Sequence, residues 1–290
     1  MKMKYKDPLF VAEICCNHMG SVEVAKIMID LAIKTGVNIV KFQKRDIATW
    51  EKRKPLIYNA PHKNSENAFG KTYKEHRQFL EFSFEQHQEL KKYCDEKGIE
   101  YSASVWDLIS AKQICSLKPR LIKIASPCNC NYEMLAWICD NYNGEIHLSL
   151  GMTSHKEIEK LVDFFKKKGR NKDLILYTCT SGYPVKYEDM CLLEISYLLK
   201  KYNGIIKGIG FSGHHIGTSI DIAAYTLGAN IIERHFSLDK SLKGTDQKVA
   251  LTKDEFSKLI IDINNVKKSL TFKNKDILDV EIENKEKLKW

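Results

Sequence analysis

The sequence predicts a single-domain α/β protein, a (β/α)8 barrel, on three observations. Short apolar runs alternate with longer helical patterns eight times in about 260 residues, and this alternation implies parallel strands joined by right-handed crossovers. A chain of 290 residues suits one such barrel. Its GxGxxG match, Gly208–Gly213, lies inside a predicted strand and not in a loop that opens a helix, and it contains no GxxxxGK loop, so nothing marks the phosphate site of an open doubly wound sheet. We therefore expect a barrel over residues 1–272 and a C-terminal tail over residues 273–290.

The predicted elements follow in chain order. The first strand, residues 10–14, precedes a helix over residues 21–35, whose apolar residues recur at helical spacing and which Gly36 ends. The other predicted strands are residues 38–43, 101–105, 120–125, 145–150, 174–178, 206–215 and 229–236. The other predicted helices are residues 84–97, 108–116, 132–141, 155–168, 188–201, 218–227 and 253–269. Residues 44–82 form an insertion that is too long for an ordinary connection, so we expect it to be functional.

Composition and charge narrow the functional class. The net charge is +9, but the lysines are spread over predicted helix faces, which favours a solvated surface over a nucleic-acid site. Nine cysteines without framework spacing indicate free thiols in a cytoplasmic protein, and we interpret the adjacent Cys15 and Cys16 as small buried residues. Residues 1–7 lead directly into the first strand and no run approaches the ~20 apolar residues of a membrane span, so we expect neither a signal peptide nor a membrane anchor.

Two histidines, His214 and His235, lie one strand–helix unit apart at the ends of neighbouring predicted strands. Parallel α/β enzymes keep their chemistry at the carboxyl ends of the strands, so both imidazoles should share one rim. That arrangement is suited to metal binding or catalysis. With Ser212 and Glu233 beside them, a functional pair is favoured over two separate structural histidines.

Other predicted strand ends also carry polar residues. Lys41 and Lys123 lie inside apolar runs, where a buried ammonium is costly unless it meets an anion. That anion could be the phosphate or carboxylate of a substrate, or an internal partner such as Glu13 beside Lys41, and the sequence leaves both open. The remaining strand-end candidates are Gln43, Ser104, Ser126, Ser149, Thr180 and Ser181.

The segments that carry these residues resemble the sialic acid synthase family. They run in the family's order over about residues 10–256, and their combination is highly specific. The matching segments are AEICCNHMGSVEVAKIMIDLA, IVKFQKRD, GKTYKEHRQFLEFS, IKIAS, LSLGM, CTSGYPVKYEDM, GFSGHHIGTSIDIAAYTLGA and IERHFSLDKSLKGTD.

The resemblance implies a synthase that condenses phosphoenolpyruvate with an open-chain N-acetylhexosamine, N-acetylmannosamine or its 6-phosphate. It implies a divalent metal, Mn2+ or Mg2+, held by His214 and His235, and a homodimer. It places Glu13 as the acid near the reacting carbonyl. By the same resemblance, the phosphoenolpyruvate contacts are Lys41, Ser104, Lys123, Ser126, Ser149 and Ser212, and the sugar contacts are Gln43, Tyr183 and Asp246.

Departures from the family pattern lie on the sugar side. Pro127–Cys128, Ser181 and Gln247 stand where relatives often have other residues. Relatives usually continue, near residues 273–290, into a small antifreeze-like domain that contributes an arginine near the acyl group. We therefore expect broader sugar acceptance, with mannose-type aldoses competing and residues 44–82 covering the mouth. The alternatives are a synthase for another 3-deoxy-ulosonic acid (from a non-acetylated or diacetamido sugar, or an octulosonate) and a metal-dependent barrel aldolase.

Overall fold

The computed structural model describes residues 5–290; residues 1–4, part of the segment used to predict the absence of a signal peptide, lie outside the described residues. Eight parallel strands form one closed barrel in chain order, and β1 completes it by pairing with β8. The (β/α)8 fold predicted from the sequence is confirmed. The strands are β1 (Leu9–Cys15), β2 (Ile39–Lys44), β3 (Glu100–Val105), β4 (Leu121–Ile124), β5 (Glu145–Ser149), β6 (Leu174–Cys179), β7 (Gly208–Gly213) and β8 (Ile231–His235).

Helices surround this barrel, and the first shows why they form. The Ser21 side chain accepts a hydrogen bond from the Val24 amide at the start of α1, and Gly36 ends the helix in the left-handed conformation. The helices are α1 (Val22–Thr35), α2 (Ile47–Arg53), α3 (Pro55–Tyr58), α4 (Tyr73–Leu80), α5 (Phe84–Lys97), α6 (Leu108–Ser116), α7 (Tyr132–Asn141), α8 (His155–Lys167), α9 (Leu193–Tyr202), α10 (Ser219–Thr226), α11 (Lys253–Ser269) and α12 (Asp279–Leu288).

Three segments differ from the sequence prediction. Helix α9 begins at Leu193 and not at residue 188, because a short 3-10 turn and the left-handed backbone of Cys191 precede it. The insertion at residues 44–82 contains three short helices, α2, α3 and α4. The segment predicted as a tail, residues 273–290, includes α12, a helix that has no buried residue.

The barrel interior has two levels. The lower level is apolar and consists of Val11, Ile39, Leu121, Ile175, Tyr177 and Ile231. Side chains alternate between the two faces of a strand, so the residue two positions further along also points into the barrel. At that upper level four of the strands carry Glu13, Lys41, Lys123 and Glu233, all of them buried. The apolar level thus forms a floor beneath a charged layer that lies toward the carboxyl ends of the strands.

Tyr177 joins the two levels, and Gly210 makes room for it. A Cβ atom at Gly210 would lie only 2.8 Å from a ring carbon of Tyr177. The Tyr177 hydroxyl is hydrogen-bonded to Nδ1 of His147 at 2.8 Å, and Nζ of Lys123 lies 4.3 Å from the centroid of the Tyr177 ring. The ring therefore supports the Lys123 ammonium from below through a cation–π contact.

None of the helices among residues 5–290 combines the length and the apolar character needed to cross a membrane.

Candidate active site

The strand register places the charged residues of the upper level side by side. Glu13 on β1 lies opposite Lys41 on one side and opposite His235 on the other. Ser212 on β7 lies opposite Glu233 on β8. Because these strands are parallel and close into a barrel, the side chains converge at its carboxyl end, where barrel enzymes keep their active sites.

The two lysines are paired with two carboxylates. Nζ of Lys123 donates to Oε1 of Glu233 at 2.5 Å. The Lys41 ammonium contacts the carboxylate of Glu13 and lies 3.6 Å from Oε1 of Glu233. The internal ion pair that the sequence left open is thus present. Burial of the lysines therefore does not by itself require a substrate anion.

Burial and mutual charge shift the pKa values in this layer. Burial is the main cause that lowers the pKa of Lys41 to about 7, and the charge of Glu233 opposes it. Burial alone would raise the pKa of Glu233, but the charges of Lys123 and Lys41 lower it to about 2. At neutral pH Glu233 is therefore ionised, and Lys41 gives up its proton more readily than an exposed lysine does.

The two histidines lie at the same rim, with ring centroids 5.4 Å apart. Nδ1 of His214 lies 3.1 Å from the carbonyl oxygen of Thr180. A hydrogen bond donated there leaves Nε2 of His214 as the unprotonated nitrogen, which is the usual arrangement of a metal-binding histidine. Burial lowers the pKa of His235 to about 3, and its Nδ1 is a buried atom that has no hydrogen-bond partner among the described residues. Both histidines therefore fit a role as neutral ligands.

A group of three donors suits a divalent ion. One ligand atom each from Cys15, His235 and Asp246 lies within 4.8 Å of the others. Two donors on opposite sides of one ion, each about 2.0–2.3 Å away, are ~4.6 Å apart. The residues therefore fit the metal that the resemblance implies. His214 is outside this group of three, while Asp246, expected as a sugar contact, belongs to it.

One cavity of about 320 Å³ lies at the mouth of the barrel. Eleven of the twelve predicted site residues line it, and their roles stay predictions. The eleven are Glu13, Lys41, Gln43, Ser104, Lys123, Ser126, Ser149, Tyr183, Ser212, His214 and His235. The twelfth, Asp246, accepts a hydrogen bond at 3.4 Å from Sγ of Cys15, which itself lines the cavity.

Five further residues line the cavity without having been predicted: Cys15, Trp106, Ala125, Met152 and Cys179. The strand-end criterion was sufficient to find the two thiols, because Cys15 ends β1 and Cys179 ends β6. The interpretation of Cys15 as a small buried residue left it out of the candidates, and Cys179 follows the last residue of the strand predicted at 174–178. Trp106 directly follows β3 and satisfies the same criterion.

The insertion at residues 44–82 contacts residues next to the site and not the cavity itself. The structure describes all of residues 45–82, and none of them lines the cavity. The insertion that we expected to cover the mouth of the barrel is therefore not part of the cavity lining. Nε2 of Gln43 donates to Sγ of Cys16 at 2.7 Å, and the Arg77 guanidinium donates to the same sulfur at 3.2 Å. Arg77 also pairs with Glu81. Helix α4 thereby holds the backbone and side chains around Gln43 in place.

A buried ionic network lies directly behind the histidines. The Arg234 guanidinium donates to Oδ2 of Asp221 at 2.5 Å and to the carbonyl oxygens of His215 and Val249 at 2.8 and 3.1 Å. Arg234 and Asp221 are at most 1% exposed. Because Arg234 precedes His235 and His215 follows His214, this network fixes the backbone that carries both imidazoles.

Sequence and structure comparisons agree on the relatives of this chain. Residues 28–275 match the sequence model of the NeuB family. The chain is 39% identical over 259 residues to the N-acetylneuraminate-9-phosphate synthase of Drosophila melanogaster. This alignment covers 89% of this chain and 68% of the relative. It is 35% identical over 282 residues to the synthase of the same name from Homo sapiens, and that alignment covers 97% of this chain and 76% of the relative. The crystal structure of N-acetylneuraminic acid (sialic acid) synthetase from Leptospira borgpetersenii serovar Hardjo-bovis, in complex with citrate, superimposes with a TM-score of 0.80 at 29% identity, covering 98% of this chain and 93% of that one.

Proposed function

This chain belongs to the NeuB family, and from that premise we propose that it condenses phosphoenolpyruvate with an open-chain N-acetylhexosamine to give a 3-deoxy-nonulosonate and phosphate. The family and the synthase class expected from the sequence are confirmed by the matches above. The observation that carries the proposal is a single cavity that combines two lysine ammoniums, several serine hydroxyls and two imidazoles. That combination is suited to one phosphorylated carboxylic acid and one metal-bound carbonyl compound.

We propose N-acetylmannosamine 6-phosphate as the acceptor. The relatives at 39% and 35% identity are named as synthases of a 9-phosphate. Phosphoenolpyruvate adds three carbons at the aldehyde end of the acceptor, so carbon 6 of the sugar becomes carbon 9 of the product. A phosphate at carbon 9 therefore requires an acceptor with phosphate at carbon 6.

The ion pairs at the mouth prepare the lysines for an anion. Lys123 and Lys41 are already desolvated and held by Glu233 and Glu13. The desolvation of these ammonium groups is complete before a phosphate arrives, so that part of the cost does not fall on binding. The proposed phosphoenolpyruvate contacts are Lys41, Ser104, Lys123, Ser126, Ser149 and Ser212.

In the proposed reaction, C3 of phosphoenolpyruvate attacks the aldehyde carbon and water adds at C2. The bond between C2 and the phosphate oxygen then breaks, and phosphate is released. A divalent metal, when bound, supplies Lewis-acid polarisation of the aldehyde oxygen. We propose that Glu13, which lies beside Lys41 and His235 in the register, gives or takes a proton at that carbonyl. Lysine and serine donors stabilise the departing phosphate. Gln43 and Tyr183 orient the sugar, and Asp246, expected beside it, belongs to the group of possible metal donors.

Phosphate release from phosphoenolpyruvate in the presence of a panel of aldoses tests this function directly. The assay is run with chelator-treated protein, with and without Mn2+, and each product is identified by mass spectrometry. We expect release that depends on both the acceptor and the metal, with a product mass equal to phosphoenolpyruvate plus sugar plus water minus phosphoric acid. Phosphoenolpyruvate consumption with no acceptor dependence would contradict the proposal.

The phosphorylated acceptor should be preferred. One charge-assisted contact to the 6-phosphate is worth about 1.5–3 kcal/mol, so we expect kcat/KM for N-acetylmannosamine 6-phosphate to exceed that for N-acetylmannosamine by about 10- to 100-fold. Mannose 6-phosphate is the matched control, because it keeps the phosphate and lacks the acyl group. Equal or higher kcat/KM for the unphosphorylated sugar would rule out the proposed acceptor. Higher kcat/KM with mannose or with a diacetamido sugar would identify that sugar as the acceptor instead.

Replacing Lys123 with methionine should weaken phosphoenolpyruvate binding. The change removes a buried ammonium worth about 1.5–3 kcal/mol to a bound anion, so we expect KM for phosphoenolpyruvate to rise by about 10- to 100-fold. The exposed Lys112, changed to methionine, is the control for loss of a positive charge. Because the change also leaves Glu233 without its partner, the double variant with Glu233→Gln separates binding from stability. An unchanged KM in both variants would exclude Lys123 from the phosphoenolpyruvate site.

A further inference from the structure

Cys15 occupies a strained position at the rim of the cavity. It is the last residue of β1, where the pairing with β2 shifts register between Glu13 and Cys15. Its φ is 51°, in the left-handed region that only glycine adopts without cost. Cys15 is 8% exposed and lines the cavity. A side chain retained in such a conformation at the edge of a site suggests that the thiol has a use there.

The neighbours of this thiol are metal-binding groups. Sγ of Cys15 lies 3.4 Å from Oδ2 of Asp246, and one donor atom of each also lies within 4.8 Å of a nitrogen of His235. Independently of the cysteine, Nδ1 of His235 is a buried polar atom with no hydrogen-bond partner among the described residues, on a side chain that is 6% exposed. The thiol, the imidazole and the carboxylate therefore lie close enough together to bind one cation, which would replace the thiol proton as the partner of the sulfur.

We propose that Cys15, as a thiolate, is a direct ligand of the metal at this site, together with His235 and Asp246. The inference rests on the proposed function only in taking the site to hold a metal. One thiolate and one carboxylate together balance the charge of a divalent cation, and the thiol proton is released to solvent when the metal binds. His214, whose ring lies 5.4 Å from that of His235, is placed beside this group.

A thiolate ligand changes the metal preference of the site. Mg2+ prefers oxygen ligands in octahedral geometry, and thiolate ligands favour softer transition metals. The mixed sulfur, nitrogen and oxygen donors should therefore bind Co2+ or Zn2+ well, Mn2+ less tightly and Mg2+ weakly. The chemical class of the cofactor is a thiophilic divalent transition metal.

Titration of the metal-free full chain with Co2+ tests the proposal without any turnover. A cobalt–thiolate bond gives a charge-transfer absorption band in the near ultraviolet, which oxygen and nitrogen ligands do not produce. We expect this band at one equivalent of Co2+. In the Cys15→Ser protein the band should be lost. Since even an outer-shell partner is worth about 10- to 100-fold in metal affinity, loss of a direct ligand should weaken Co2+ binding by at least about 100-fold.

Two cysteine variants serve as matched controls. Cys16 has the same 8% exposure as Cys15 but does not line the cavity, so Cys16→Ser should keep the band. Cys179 lines the cavity, and its Sγ lies 3.9 Å from Nδ1 of His214, so it is the competing source of a thiolate. A band that survives in Cys15→Ser and disappears in Cys179→Ser would overturn the assignment, as would equal Co2+ affinity in wild type and Cys15→Ser.

Two further measurements keep the test decisive. If the serine variant does not fold, as judged by circular dichroism, Cys15→Gly removes the thiol and also relieves the left-handed backbone. Alkylation followed by peptide mass spectrometry, with and without Zn2+, should show metal protection of Cys15, and labelling that Zn2+ leaves unchanged would contradict the proposal. Because neither experiment uses phosphoenolpyruvate or a sugar, failure of the thiolate assignment and failure of the proposed synthase reaction are distinguishable.

Discussion

Replacing His235 with alanine is expected to reduce acceptor-dependent phosphate release by about 1,000-fold or more. His235 is the residue that both the strand-end argument and the geometry place among the metal donors. Lewis-acid stabilisation of developing charge is worth several kcal/mol, and each ~1.4 kcal/mol corresponds to a tenfold change in rate. The measurement is initial phosphate release with chelator-treated protein to which Mn2+ or Co2+ is returned.

The control for this change is a histidine of the same chain outside the site. His155, exposed on α8 and paired with Glu194 at 2.8 Å, should tolerate alanine without loss of phosphate release. Circular dichroism and the thermal midpoint of the His235→Ala protein should stay close to those of the wild type. Near-normal release by His235→Ala after chelation and return of the metal would show that this imidazole is not needed for metal-dependent turnover.

Replacing Asp221 with asparagine is expected to lower the free energy of unfolding by about 3–5 kcal/mol. The change keeps the size of the side chain but removes the negative charge that faces the Arg234 guanidinium at 2.5 Å. Both side chains are at most 1% exposed, so water cannot replace the lost partner. Breaking one half of a buried ion pair leaves the other as an uncompensated buried charge, which is the source of the large cost.

Urea denaturation measures this effect. We expect a lower midpoint with an unchanged m-value, because the surface exposed on unfolding is the same. The matched control is Asp95→Asn, which breaks the exposed pair with Lys91 and should cost less than about 1 kcal/mol. A change as small for Asp221→Asn as for Asp95→Asn would mean that the network contributes no more than a surface ion pair.

Most of the fold was predictable because each element has a local signal. Helix α1 carries a capping serine, a helical apolar pattern and a terminal glycine, and its bounds are within one residue of the prediction. The start of helix α9 was misplaced because residues 188–192 continue the helical pattern, while the backbone forms a 3-10 turn and then a left-handed residue at Cys191. Helix α12 was not predicted because it has no buried face and hence no apolar pattern to read.

The site was predictable in membership and only partly in pairing. Strand-end positions identified twelve of the cavity-lining residues, because all parallel strands of a barrel point one way, and Tyr183 was expected only from the family resemblance. Which cation meets which anion depends on the register of neighbouring strands. The pair of Glu13 and Lys41 was one of two alternatives that the sequence left open, whereas the pair of Lys123 and Glu233, which are 110 residues apart, was not predicted. The position of Cys15 depends on the irregular pairing at the end of β1, which has no sequence signature of its own.

The two-level interior has a consequence for how enzymes of this kind diversify. The residues proposed to bind the common donor substrate, such as Lys123 and Lys41, are strand residues resting directly above the apolar floor. Tyr183, proposed to meet the sugar, lies in the loop beyond β6 and is half exposed. Substitutions in such loops disturb little of the core, so they accumulate at a low cost in stability. A lineage can thus acquire new acceptors one loop at a time while inheriting the same donor chemistry.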